Sequence, residues 1–183
     1  MTVAEPKQKL VTGEELMEMG DIGRCELVAG EIIKMSPTNV EHGYLENEIG
    51  AQLRNFVTEH KNGWVLTGEV GIFTQRSPDT IRAGDVVFIS KERASERPRQ
   101  RFLDIAPELV VEIVSPTDRW SDLHDKIEEY FDIDVQWVWV VEPTRQVIRV
   151  YNAPAKVEIV ADQLLGEGVL MGFELSVTNL CAE

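Results

Sequence analysis

Apolar positions recur at two periods along this chain, and the switches between them lay out its elements. Leu45, Ile49, Leu53, Phe56 and Val57 fall at helical spacing and predict a long helix over residues 41–60. Leu123, Ile127, Tyr130 and Phe131 predict a second helix over 120–132. Three strands are expected between them: "GWVLTGEVGIFT" (63–74), "DVVFIS" (85–90) and "ELVVEIV" (108–114). The third is apolar enough to be buried on both faces. "VQWVWVVE" (135–142) reads as a fourth core strand, in which Trp137 and Trp139 alternate with valines as core or interface residues do. "RSPDTIRAG" reads as a turn.

Shorter elements flank this core. "TGEELMEMG" predicts a short helix whose Thr12 and Glu15 form a capping box. "CELVAGEIIKMSP" predicts a hairpin turning at Ala29-Gly30, and "QVIRVYN" with "KVEIVA" a second one. The segment "GEGVLMGFELSVTNL" reads as loop and short extended structure, and residues 1–9 are expected to be disordered. Helix, three strands, helix and strand give an α/β fold with an αβββαβ core. It has a mixed central sheet, flanking helices and extra β-hairpins at both ends, in a single domain over 1–183.

Composition adds two constraints. With 43% apolar and 27% charged residues, the chain is that of an ordinary globular protein. No run approaches the ~20 apolar residues that span a bilayer. The first residues hold no secretory apolar segment, so the expectation is a cytoplasmic protein with Cys25 and Cys181 reduced. These cysteines and His42, His60 and His124 show no zinc spacing. Eighteen Lys and Arg against 32 Asp and Glu give a formal charge of −14. Such a surface repels polyanions, so nucleic-acid binding requires a local basic patch or a metal ion.

The chemistry starts from Glu112, a lone carboxylate inside "LVVEIV". Burying it unpaired is costly. Asp85 follows Gly84 at the start of the preceding strand. If those strands are neighbours, the two carboxylates converge, and a hard divalent ion such as Mg²⁺ or Mn²⁺ relieves their repulsion. A water on that ion can then attack phosphorus. The plainer alternative has Asp85 capping a turn and Glu112 paired with a buried Arg or Lys. Lys126 lies roughly 85° from the centre of its helix's apolar stripe, on the margin from which a long side chain reaches the sheet. Its plainer alternative is a pair with Asp122, worth about 0.3–0.5 kcal/mol.

The run "APELVVEIVSPTDRWSDLHDKIEEYFDIDVQWVWVVEPTRQVIRVY" (106–151) resembles the Uma2 family. The resemblance extends to "CELVAGEIIKMSP", to His42 and to "GFELSV". It implies the restriction-endonuclease-like αβββαβ core of the PD-(D/E)xK superfamily. It also implies Asp85 and Glu112 as metal-binding acids and Lys126 as the lysine shifted from strand to helix. The superfamily's occasional helix glutamate would be Glu46 or Glu48, although such residues are usually just solvated. Gly84 stands where the motif has proline, and Val114 where the strand lysine would be, so the site depends on Lys126.

The one basic run, "KERASERPRQR" (91–101), offers Lys91, Arg93, Arg97, Arg99 and Arg101 to phosphates, or is simply a solvated loop. Trp120 is read as packing. "VIRVY", taken as an edge strand, makes a homodimer expected. The reading reached is a Mg²⁺- or Mn²⁺-dependent endonuclease hydrolysing DNA phosphodiesters. The alternatives are a non-catalytic binding or assembly protein on the same fold, and a nuclease acting on RNA or a small phosphate ester.

Overall fold

The structure is a computed structural model that describes residues 10–96, 99 and 102–180. The expected disorder of 1–9, along with Arg97, Arg101 and Cys181, lies outside the described residues. In chain order the elements are α1 (Gly13–Glu18), β1 (Cys25–Val28), β2 (Glu31–Lys34), α2 (Val40–His60), β3 (Gly63–Gln75), β4 (Thr80–Ser90) and β5 (Leu109–Ile113). There follow α3 (Trp120–Asp132), β6 (Trp137–Glu142), β7 (Val147–Ala153), β8 (Lys156–Val160), β9 (Gln163–Leu165), β10 (Glu174–Ser176) and α4 (Val177–Leu180). From α2 to β6 this is the expected αβββαβ order, with the β1–β2 and β7–β8 hairpins on either side. Thr12 and Glu15 form the expected capping box of α1.

The main sheet runs β2-β1-β4-β5-β6-β7-β8, with β3 also paired to β4. Its pairings are antiparallel except β5–β6, the one parallel neighbour pair, which is joined through the crossover helix α3. Alternation along β4 sends Val86 and Phe88 to a core with α2's Leu45, Ile49 and Leu53. Val87 and Ile89 go to a second core with α3's Leu123, Ile127 and Tyr130.

β4 decides where chemistry can happen. β3 pairs along nearly its whole length, from Thr80 to Ser90. A strand has two edges, so β1 and β5 must share the other one. β1 bridges it at Ile81, and β5 takes over only at Val86. Residues 82–85 are left between them as a notch in the sheet, where backbone groups need partners other than a strand.

Two expectations change. β4 begins at Thr80, not Asp85, so "TIRAG" is strand and only residues 76–79 turn the chain. Polar Arg82 and two small residues hid a segment that is buried throughout. β7, which holds "VIRVY", is an inner strand between β6 and β8; the edge is β8, which exposes Val157 and Ile159. No helix among the described residues is long and apolar enough to cross a membrane.

Candidate active site

The notch is filled by side chains from five elements, β1, β4, β5, α2 and α3. Its backbone is satisfied from both ends. Glu26 of β1 accepts the Ala83 N–H through Oε1 at 3.0 Å. Lys126 of α3 donates to the Ala83 carbonyl at 3.0 Å. Asp85 of β4 reaches across to β5 and accepts the Ile113 N–H through Oδ2 at 2.7 Å. Asp85 is therefore mid-strand and buried, and its carboxylate replaces the ladder bond that the fork in the sheet removes.

His42, in the first turn of α2, places Nε2 3.2 Å from the same Asp85 oxygen, while its Nδ1 is buried without a partner. Burial opposes a charge on this imidazole, but the Asp85 carboxylate outweighs it and raises the His42 pKa. Both contacts fall on Oδ2. Among the described residues Oδ1 forms no hydrogen bond and is the oxygen left for a ligand.

Glu112 projects from β5 to the α3 side. Tyr130 donates to its Oε1 at 2.7 Å, and Lys126 Nζ lies 2.8 Å from Oε2. Burial pushes the Glu112 carboxyl up, the Lys126 ammonium pulls it down, and Asp85 pushes it up; the balance stands at about 7. Glu112 and Glu26 together more than offset burial at Lys126 and raise its pKa, so it stays charged. The pair with Asp122 does not form. Lys126 turns to the sheet and meets Glu112, Glu26 and Ala83.

The shift at Glu112 carries a sign that can be measured. Its folded pKa of about 7 lies above the unfolded value of 4.5, so the folded state holds the proton more tightly. Its contribution to stability is complete below pH 4.5 and is lost as pH rises through 7. Relative to Glu112→Gln, the wild type should lose up to about 3 kcal/mol between these limits. Urea denaturation at stepped pH reads the difference. A flat or rising difference would mean that Lys126 keeps Glu112 ionised throughout.

Asp85, Glu112 and Lys126 meet at one cleft of about 380 Å³, which Glu26 and His42 also line. Among the described residues no cluster of three His, Cys, Asp or Glu side chains could hold a metal. Two hard oxygen donors beside an open cleft suit an ion that keeps most of its shell as water, the habit of Mg²⁺. Asp85 through Oδ1, and Glu112 on exchanging a partner, could hold one.

Other expected residues lie elsewhere. Glu46 accepts the Gly68 N–H at 2.6 Å, and neither it nor Glu48 lines the cleft. Arg93 is held by Glu108 at 3.3 Å and by the Ala106 carbonyl at 2.9 Å. Lys91, Arg93 and Arg99 are not at the cleft; the run starts beyond the far end of β4. Trp120 is 40% exposed, with the Arg149 guanidinium 5.1 Å from its ring centre. The cleft's other cations, Arg24, Lys34 and Arg119, were not anticipated. Arg24 is bound to Glu69 and the Ser36 carbonyl, and Lys34 to the Ile22 carbonyl. Arg119 is exposed, with no side-chain cap bond to α3.

A forked mixed sheet with an acid on each of two adjacent strands, and a lysine from the crossover helix, defines the restriction-endonuclease-like class of fold. A putative nuclease from Anabaena variabilis has this fold: TM-score 0.80 at 18% identity, covering 94% of this chain and 98% of that one. The chain belongs to the Uma2 family, described as putative restriction endonuclease, which matches residues 14–178. No curated protein matches it. The family description supports nuclease function, and the restriction-endonuclease-like family generally uses divalent metals.

Proposed function

We propose that this protein is a metal-dependent endonuclease that hydrolyses DNA phosphodiester bonds. Asp85 and Glu112 would hold Mg²⁺ or Mn²⁺, which when bound supplies an acidified water and charge stabilisation at phosphorus. Lys126 would orient that water or steady the phosphate charge. The observation that carries this reading is the meeting of those three side chains, from β4, β5 and α3, at one cleft. To hold the ion Glu112 would give up its Oε2 contact with Lys126, which would leave a Lys126 hydrogen for the water.

Charge makes this reading specific. The cleft is lined by four cations (Arg24, Lys34, Arg119, Lys126) and six carboxylates (Glu26, Glu69, Asp85, Glu112, Asp118, Asp122), a formal net of −2 with Glu112 ionised and His42 neutral. One divalent ion brings it to neutrality. DNA affinity, and not only cleavage, should therefore depend on the ion. Anisotropy of a labelled duplex should show binding at least ~10-fold weaker in EDTA than in Ca²⁺, a stand-in that holds the site without turnover. Equal affinity in both would break the link between ion and substrate. Arg119, with no cap bond of its own, is the cation we assign to a phosphate; the basic run from Lys91 to Arg101 is a secondary contact.

One observation favours the non-catalytic reading: the Lys126 ammonium already donates to Glu112 and to the Ala83 carbonyl and pairs with Glu26. Mn²⁺ calorimetry separates the two, since a purely structural ion cluster takes up no metal. A labelled RNA in the nicking assay decides between nucleic acids. The dimer we propose would form through the exposed β8 edge, and sedimentation velocity tests it.

A further inference from the structure

The Lys126 ammonium donates two hydrogen bonds and makes a second ion pair, so that it is engaged by one group from each strand around the notch. They are Glu112 Oε2 of β5 at 2.8 Å, the Ala83 carbonyl of β4 at 3.0 Å and Glu26 Oε1 of β1 at 3.1 Å. Neither the ion-binding acids nor the motif lysine includes Glu26. It is 7% exposed, in a hairpin whose other strand is largely solvated.

Glu26 is itself fixed on both oxygens. Oε1 takes the Ala83 N–H at 3.0 Å, and Oε2 takes Arg82 at 3.0 Å. Arg82 forks onto Glu129 at 2.6 and 2.8 Å. Glu129 sits three residues after Lys126 on α3. The four side chains thus form a chain of ion pairs, Lys126–Glu26–Arg82–Glu129, whose two ends both lie on α3 and tie it to the notch at two points. Glu26 pairs with both cations of that chain, Arg82 through Oε2 and Lys126 through Oε1.

We infer that Glu26 is a positioning residue for Lys126, holding the ammonium from the β1 end of the notch while Glu112 holds it from the β5 end. The catalytic consequence rests on the nuclease reading above; the contacts do not. If Glu112 turned to a bound cation, Glu26 would be the acid still paired with Lys126 among the described residues. A long lysine without that partner swings towards solvent or is driven off by Arg82. With it, the freed hydrogen points into the cleft.

The contrast is with a Glu26 that merely neutralises Arg82. Two variants separate the roles: Glu26→Gln, which keeps shape and an acceptor for Ala83, and Glu26→Gln with Arg82→Gln, which also removes the cation left unpaired. In metal-free protein, ¹⁵N–¹H spectra of lysine side chains should show a Lys126 ammonium signal protected from water exchange, assigned by its absence in Lys126→Met. We expect that signal to be lost in both variants, and the double variant to regain most of the thermal stability lost by the single one. In the nicking assay kcat should fall ~10–100-fold in both, with KM for plasmid and the Mn²⁺ dissociation constant within about threefold of wild type. An unchanged ammonium signal in Glu26→Gln, or wild-type kcat in the double variant, overturns the assignment. A wild type that does not nick counts against the nuclease reading alone, because the ammonium spectrum still decides Glu26.

Discussion

Plasmid nicking in Mg²⁺ is expected to fall by ~10²–10³-fold in Asp85→Asn, with calorimetric Mn²⁺ uptake lost and stability within about 1 kcal/mol of wild type. The substitution is chosen for what it retains. Asp85 does two things with its carboxylate. Oδ2 closes the sheet by accepting the Ile113 N–H and holds His42, while Oδ1 faces no protein donor among the described residues. An asparagine carbonyl still accepts from Ile113 at the same place, so the junction of β4 and β5 survives. What is lost is the charge, and with it one of two oxygen donors for a hard cation. Alanine would confuse the two roles, because a buried N–H left without an acceptor is itself destabilising. Full nicking by Asp85→Asn, with unaltered Mn²⁺ binding, would remove the carboxylate pair from the mechanism.

Asp85, Glu112 and Lys126 were legible because each breaks a local rule: an acid in an apolar strand, an acid beside it, a lysine on a helix margin. Glu26 breaks the same rule more quietly. "CELV" is an acid among apolar residues, but a four-residue hairpin strand is usually half solvated, and nothing local says that β1 runs into the edge of β4. Only the fork at Ile81 and Val86 gives Glu26 a buried address. His42 left a clearer trace. It precedes Leu45, Ile49 and Leu53 at helical spacing and so continues the buried stripe of α2 by one turn; a polar residue on that stripe is the signal Glu46 and Glu48 lack. Arg82 was hidden because "TIRAG" carries the small and polar residues of a turn. Its burial comes from β1 and β3 covering β4, which is topology and not propensity. The basic run is hard to place from sequence for the opposite reason. Charge density in sequence says nothing of place, and the structure spends Arg93 on Glu108 and two carbonyls.

Lys126→Met should cost about 3–5 kcal/mol, the range for breaking a buried ion pair by deleting one partner, and should abolish nicking as well. Methionine fills much of the stem's volume, so the loss is electrostatic. Glu112 is left with Tyr130 and the nearby Asp85, Glu26 with Arg82 and the Ala83 N–H, and the Ala83 carbonyl without its donor. In thermal unfolding this corresponds to a fall of roughly 6–20 °C for a domain of this size. The size of the effect should depend on pH, with a sign set by Glu112. Its carboxyl already sits at about 7 with the ammonium beside it, and removing the ammonium pushes it further up. At pH 5 it takes a proton and the penalty shrinks; at pH 8 the penalty is full. Adding Glu112→Gln to Lys126→Met removes the stranded acid and should restore more than half of the lost stability, while nicking stays absent. That non-additivity measures the coupling between the two side chains. It also separates a lysine that is structurally replaceable from one whose hydrogen the reaction needs. A Lys126→Met protein that melts with the wild type at pH 8 would place the ammonium outside the notch, and the cluster on which the proposed chemistry stands would have to be redrawn.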